Sequence, residues 1–385
     1  MQFVLSLLWL GALLAQAVSS DPAAVFAKGQ AALTRGDLQE AESDFKSVLS
    51  IDPSSLPARA NLGVVYMRRN DWAHALEEFR AAERLAPGNP GLELNIGLTY
   101  FRQNDFADAI KPFESVLSAH PDSVQARYLL GLSQLALEQY VNAAGTLKPL
   151  WQSQANNMAY LYVLALSADK AGQADLEKTA LDHLYEIGAN SAECHLFLGR
   201  AWLARQRDEE AIQELQKAAE INPNLPFVHY SLGTAYAAKG DYATAKGEFL
   251  RDIQIEPSFA SDYDQLGAIC LRLDAINDAE RNCAKAIQLD PKLTSSYFAL
   301  AKIYLSKHLY PQALRMINTV DNLDASSASA HYLKAEILVQ MNRREEAKTE
   351  FALSSQLRQS ARDRLEQQVS GTGAVDAQMG LGAAR

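Results

Sequence analysis

Cysteine is nearly absent, with three in 385 residues. Cys194, Cys270 and Cys283 therefore cannot form the paired framework that staples small secreted folds. Cys270 with Cys283 is the one candidate disulfide, and two small buried apolar residues are the plainer reading of that pair. Catalytic signatures are missing as well. There is no HExxH helix, no GxxxxGK[ST] loop and no GxSxG elbow, which removes the zinc-protease, phosphate-loop and hydrolase classes those motifs mark. Gly371-Thr372-Gly373 follows no strand and opens no helix, so it is no dinucleotide loop. The seven histidines are dispersed. Glu193-Cys194-His195 resembles a metal set in print, but adjacent residues on a helix diverge from any single ion. We expect no enzyme activity, no cofactor and no metal. A net charge of −10 with both signs mixed argues against a general nucleic-acid binder. No Asn-x-Ser/Thr sequon occurs, and no segment alternates in the manner of a strand.

Long apolar runs are lacking too. The longest lies between Phe3 and Leu14 and falls short of the ~20 residues a spanning helix needs. Residues 1–20 carry no charged side chain, and small residues surround Ala15 and Ala17. Residues 1–17 are therefore expected to be an export signal, despite the missing positive start. That implies a periplasmic or secreted protein. The alternative is an uncleaved N-terminus that anchors a structural component of an envelope assembly outside the cytoplasm.

What the chain does contain is repetition. LGTAYAAKGDYATA begins at Leu232, LGRAWLARQRDEEA at Leu198 and LGAICLRLDAINDA at Leu266, each 34 residues from the next. LGVVYMRRNDWAHA from Leu62 and IGLTYFRQNDFADA from Ile96 keep the same phase. Ten units follow without an insertion: 22–55, 56–89, 90–123, 124–157, 158–191, 192–225, 226–259, 260–293, 294–327 and 328–361. We number them repeats 1 to 10 and number positions 1 to 34 within each. A fixed period in this range marks a solenoid, in which each unit packs only on its neighbours.

Each repeat reads as two helices. Positions 4, 7, 8 and 11 share one face of the first, and positions 20, 24 and 27 one face of the second. Position 8 is glycine or alanine throughout, position 20 is alanine except at Glu177, and position 24 is always apolar. A glycine inside a helix costs ~1 kcal/mol against alanine, so close packing must offset it. Gly233 and Ala245 are expected to face each other across the gap between antiparallel helices, with large residues filling the space around them. Turns such as Gly36-Asp37, Asn70-Asp71 and Gly240-Asp241 place aspartate where a helix N-cap belongs. Asp37 and Glu40 have the spacing of a capping box. Proline at position 32, as at Pro53, Pro87, Pro121, Pro223, Pro257 and Pro291, stops the second helix. Arg35-Gly36-Asp37 spells an adhesion tripeptide but is explained by the turn alone.

This pattern resembles the tetratricopeptide repeat family: a large residue at 4, Leu-Gly at 7 and 8, Tyr at 11, Ala at 20, Phe at 24 and Pro at 32. The resemblance covers residues 22–361. It implies an all-α, right-handed superhelical solenoid of tandem helix-turn-helix hairpins, and a scaffold that binds a protein or peptide in its concave groove. Position 4 lacks the family's usual tryptophan, and repeat 5 departs at Glu177 and has no proline. Repeat 5 is open to reading as a hinge or as ordinary drift.

The resemblance further implies that positions 2, 5, 9, 12 and 13 face the groove. Position 5 then supplies Phe26, Tyr128, Tyr162, Tyr230, Phe298 and Tyr332 as contact residues, with a half-buried packing role as the competing reading. Position 13 supplies Arg68, Arg102, Lys170 and Arg272. Of these, Arg68 and Arg102 lie on successive repeats and suit a carboxylate. Asn61 and Asn95 at position 6 match a backbone-gripping ladder over two repeats only. No repeat carries the Lys-5 with Asn-9 pair of a chaperone-tail clamp. Beyond the repeats, 362–370 is expected to be a capping helix and 371–385, rich in Gly and Ala, a disordered tail.

Overall fold

The computed structural model describes residues 21–380, with side chains as far as residue 363. The expected export signal and the last five residues of the tail lie outside it. All regular structure among the described residues is helical. The chain divides into two compact bodies, Met1–His183 and Leu184–Arg385. The division falls inside the helix Ala174–Gly188, the second helix of repeat 5.

Helix starts follow the expected chemistry. Asp37 accepts the Glu40 N–H at 3.0 Å and Asp241 accepts that of Thr244 at 3.1 Å, which satisfies donors the helix itself cannot. Position 15, just before the cap, is left-handed in all ten repeats, with φ between 56° and 82°. Glycine occupies it at Gly36, Gly172 and Gly240. Elsewhere the chain places Asn70, Asn104, Glu138, Gln206, Asp274, His308 and Asn342 there, several of them poor hosts for that conformation.

The seal within each repeat is made by positions 8, 20 and 24. A Cβ placed on Gly233 would lie 2.9 Å from the Phe249 ring, which supplies its three nearest neighbours. The same holds at Gly63 against Phe79 (2.6 Å), Gly97 against Phe113 (2.6 Å) and Gly131 against Leu147 (2.5 Å). Position 8 thus makes room for position 24. Position 20 borders the same contact, with the Ala211 carbonyl 3.2 Å from a Cβ on Gly199, and Ala41, Ala75, Ala109, Ala211 and Ala245 are all 0% exposed. Cys283 sits where other repeats place Phe or Leu, 2.5 Å from the Cβ that Gly267 lacks. Cys270 and Cys283 are free buried thiols, so the candidate disulfide does not form. Their role is filling space. Burial pushes the Cys283 thiol up to about 12.

Neighbouring repeats are joined by a polar clasp at position 4, where tryptophan was missing. In repeat 2, Arg59 donates to the Glu78 carboxylate at 2.9 Å and, through Nε and Nη2, to the Pro53 carbonyl of repeat 1 at 3.0 and 2.8 Å. In repeat 7, His229 meets Glu248 at 2.6 Å and the Pro223 carbonyl of repeat 6 at 3.0 Å. In repeat 10, His331 meets Glu350 at 2.7 Å and the Ala325 carbonyl at 3.2 Å. Arg127 and Tyr263 reach the equivalent carbonyls of Pro121 and Pro257. Position 4, the carboxylate at 23 and the carbonyl at 32 of the previous repeat form one unit in repeats 2, 7 and 10, and repeats 4 and 8 keep only its bond to the carbonyl. It gives a backbone carbonyl between two helices a hydrogen-bond donor.

Two helices deviate. In repeat 4, Pro149 converts the second helix into Tyr140–Leu147, a 3₁₀ turn Lys148–Leu150 and a short helix Trp151–Gln154. The last helix runs unbroken from Arg344 to Gly380. It passes the boundary at 370 and enters the stretch expected to be disordered. No proline stops it, and extending a helix is easier than starting one.

Candidate functional site

The first helices carry the positions that the resemblance assigns to a groove, and the two bodies differ in what they place there. In the first body, position 9 holds Val64, Leu98, Leu132 and Leu166 on successive repeats, all half-buried. Position 5 adds Phe26, Tyr128 and Tyr162. Phe26 packs 5.7 Å from Phe45. Tyr128 is half-buried, and burial pushes its phenol up. Tyr162 is only 8% exposed. Arg68 donates to the Leu33 carbonyl at 2.9 Å, closing the last turn of the first helix of repeat 1, while Arg102 is exposed. Asn61 bonds its own helix at the Pro57 carbonyl, 3.0 Å away. Asn95 is half-buried, and its carbonyl accepts the Thr99 hydroxyl at 2.7 Å.

In the second body the groove face becomes a defined concavity across repeats 8 to 10. One depression of about 650 Å³ is lined by Leu271, Arg272, Ser295, Phe298, Lys302 and Asp324, among others. A second of about 330 Å³ shares Phe298 and Lys302 and adds Tyr332, Glu336 and Arg358. Positions 2, 5, 9, 12 and 13 all contribute. The structure thus brings Phe298 and Tyr332 to one site. Tyr230 instead packs against Phe249 at 5.7 Å and Phe259 at 5.3 Å.

The charges in this concavity are not evenly spent. Asp324 accepts the Ser326 N–H and hydroxyl at 2.9 and 2.6 Å. Arg358 lies 5.3 Å from the Tyr332 ring centroid and donates to Ser354. Arg272 and Lys302 are exposed and make no hydrogen bond or ion pair among the described residues. They stand on neighbouring first helices beside the apolar floor of Leu271 and Phe298. Sequence reading named Arg272 through position 13 but passed over Lys302 and Ser295. The signal was available, since positions 9 and 2 were already assigned to the groove.

Asp321, His331 and Glu350 place ligating atoms within 4.8 Å of one another. Lys334 already bridges both carboxylates, at 2.6 and 2.8 Å, so the cluster is balanced by its own ammonium group. Among the described residues no helix is long and apolar enough to cross a membrane.

Comparison with known proteins addresses the fold. A TPR repeat family model matches residues 199–240. Two tetratricopeptide repeat models match 94–148 and 32–93. The model of anaphase-promoting complex, cyclosome, subunit 3 matches 272–352. Comparison with curated proteins returns no match. Among solved structures, the chain is similar to MamA protein, with 17% identity, 46% of this chain and 96% of that chain covered, and a TM-score of 0.41. It is also similar to YrrB, described as a TPR protein with an unusual peptide-binding site, with 19% identity, coverage of 46% and 92%, and a TM-score of 0.40. Yeast Tom70 aligns at 15% identity over 94% of this chain and 97% of its own, with a TM-score of 0.43.

Proposed function

The chain is a tetratricopeptide-repeat protein, and from that premise we propose that it is an exported, non-catalytic scaffold that holds a segment of a partner protein along its first-helix face. The observation that carries this reading is the concavity of repeats 8 to 10, with its apolar floor and two unspent cations. Phe298 and Leu271 offer an apolar side chain a seat, and Tyr332 adds aromatic area with a polar tip. Arg272 and Lys302 favour a carboxylate next to that side chain. The preferred occupant is a peptide segment pairing a large apolar residue with an acidic one. Nucleic acid is disfavoured by the overall charge of −10.

The test is a fluorescence-anisotropy titration of the full chain against defined peptides, one set carrying Asp or Glu beside Leu or Phe and a matched set carrying Asn or Gln. The acidic set is expected to bind, and Lys302→Glu with Arg272→Glu to abolish the preference. Equal binding of both sets, or binding untouched by the two substitutions, overturns it. The apolar run from Phe3 to Leu14 supports a second reading, an anchored envelope spacer. Recovery of Met1 on mature protein in the membrane pellet would favour that reading over export with cleavage.

A further inference from the structure

Repeat 7 (residues 226–259) contains a charge arrangement that the groove does not use. Position 27 of one repeat lies in the joint with the next, and it is apolar in eight repeats. In repeat 7 it is Asp252. Position 3 is also mostly apolar, and in repeat 8 it is Asp262. Both are 0% exposed. Asp252 Oδ2 and both oxygens of Asp262 are shut away from water and find no protein donor. Two buried carboxylates with three of their four oxygens unpaired would repel each other strongly, and the arrangement becomes satisfactory once the pair keeps a proton of its own.

The surroundings decide which residue keeps it. The first helix of repeat 7, Val228–Ala238, has an unusual start: Phe227 is left-handed at φ 68°, and no side chain of its own segment caps the helix. Asp252 fills that role from the second helix, accepting the Tyr230 N–H at 3.0 Å. The Asp252 oxygen facing the Tyr230 N–H is committed as an acceptor, whereas neither oxygen of Asp262 has a partner, so Asp262 is the group that carries the shared proton. The nearby Tyr230 phenol feels both of these aspartates, and Asp264 and Arg200 besides. Asp264 is occupied by the Ser295 and Ser296 hydroxyls at 2.8 and 2.5 Å.

The opposite joint of repeat 7 has the same dependence. His229 faces two acceptors, Glu248 Oε2 and the Pro223 carbonyl. A neutral imidazole has one donor, so it can satisfy only one of them, whereas the imidazolium satisfies both. The charged groups facing His229 are Glu248 and Arg251, and Arg251 pairs with Glu248 at 2.9 Å.

We propose that repeat 7 is a proton-held joint, fastened to repeat 6 by the His229 imidazolium and to repeat 8 by a proton that Asp262 shares with Asp252, so that the segment tightens on acidification and loosens as pH rises. The direction follows from linkage. Burial, reinforced by the Asp252 charge, pushes the Asp262 carboxyl up from 3.8 to about 8. Across that window the folded chain holds a proton the unfolded chain has released, so this stabilisation is lost as pH climbs from about 4 to about 8. Its bond to Glu248 raises His229 above 6.5. That contribution is complete below 6.5 and lost as pH passes the raised folded value. Repeat 8, on the far side of the joint, supplies Leu271 and Arg272 to the groove.

The experiment is hydrogen exchange of the full chain by mass spectrometry, corrected for the chemical exchange rate at each pH. One linked proton changes an opening equilibrium about tenfold per pH unit. Protection across residues 228–262 is expected to fall at least about tenfold from pH 5 to pH 7.5, while residues 56–89 stay flat. Asp262→Asn keeps a donor for Asp252 at every pH. His229→Arg installs the side chain that makes both bonds in repeat 2. Together they are expected to abolish the slope. A flat profile in the unmodified chain, or a slope that survives both substitutions, overturns the proposal. Carboxyl carbon NMR on the unmodified chain reads the same point without a variant. Titration of Asp262 near 8 supports the shared proton, and titration near 3.8 refutes it.

Discussion

Alanine at Gly63 and alanine at Gly247 are expected to move stability in opposite directions, although both glycines lie inside helices. At Gly247, in the helix Tyr242–Ile255, a new Cβ meets nothing within 4 Å. Only the backbone benefit remains, a gain of roughly 0.5–1 kcal/mol. At Gly63, in Leu56–Arg68, the Cβ would lie 2.6, 2.7 and 2.9 Å from three carbons of the Phe79 ring. Carbon atoms settle at about 3.5–4.0 Å, so the ring must retreat by roughly 1 Å. Phe79 is 0% exposed and has nowhere to go. Overpacking of this kind costs about 1–3 kcal/mol. The helix benefit is common to both sites and cancels in the comparison, so the two variants should differ by about that overpacking cost. Urea unfolding followed by circular dichroism gives the ranking. Exchange protection in repeats 2 and 7 localises it, because a solenoid need not unfold in one step. Adding Phe79→Ala should cancel the penalty of Gly63→Ala, giving a coupling energy of opposite sign to the clash. If Gly63→Ala stabilises as much as Gly247→Ala, the seal between positions 8 and 24 is not what makes position 8 small.

Two other expectations follow from the fold. Glu138 holds φ at 59°, a conformation that costs an L-residue roughly 1–2 kcal/mol, and Glu138→Gly is expected to raise the urea midpoint by an equivalent of about 0.5–1 kcal/mol after the glycine's own entropy cost. A lower midpoint would show that Glu138 makes a compensating contact. The three cysteines are buried and free, and burial raises Cys194 to about 11 and Cys283 to about 12. A thiol reagent at pH 8 without reductant should therefore label none in the folded chain and all three in denaturant. Labelling of only one in denaturant would restore the disulfide.

The period, the helix pairs and the small residues at positions 8 and 20 were legible because every repeat restates them. What Gly233 makes room for was less legible, because size alone does not say which neighbour needs the room; Phe249 sits one turn beyond Ala245 on the same face. The clasp was hidden for a different reason. It joins position 4, position 23 and a backbone carbonyl at 32, and its chemistry changes from Arg59 to His229 while its geometry is kept. Glu138, Gln206 and His308 give no hint of a left-handed turn by themselves, and only the register with Gly36 and Gly240 reveals it. In the groove, positions 2, 5, 9, 12 and 13 came as a set from the resemblance, and aromatics drew attention away from Lys302, whose significance lies in having no partner. That is a property of its surroundings and cannot be read from a string. The Asp252–Asp262 pair was invisible for the same cause, since the two belong to different repeats and meet only once the helices stack.

Position 5 bears on how freely such a chain can be rewritten. Where Phe26, Tyr230 and Tyr332 lean on Phe45, Phe249 and Phe351, a change in recognition is also a change in the wall of the repeat. Positions 9 and 13 carry no such burden at Lys302 and Arg272. The vocabulary of the surface is therefore split. Some letters are shared with the grammar of the fold and must be spelled conservatively, and others can be exchanged one repeat at a time while the architecture stays as it is.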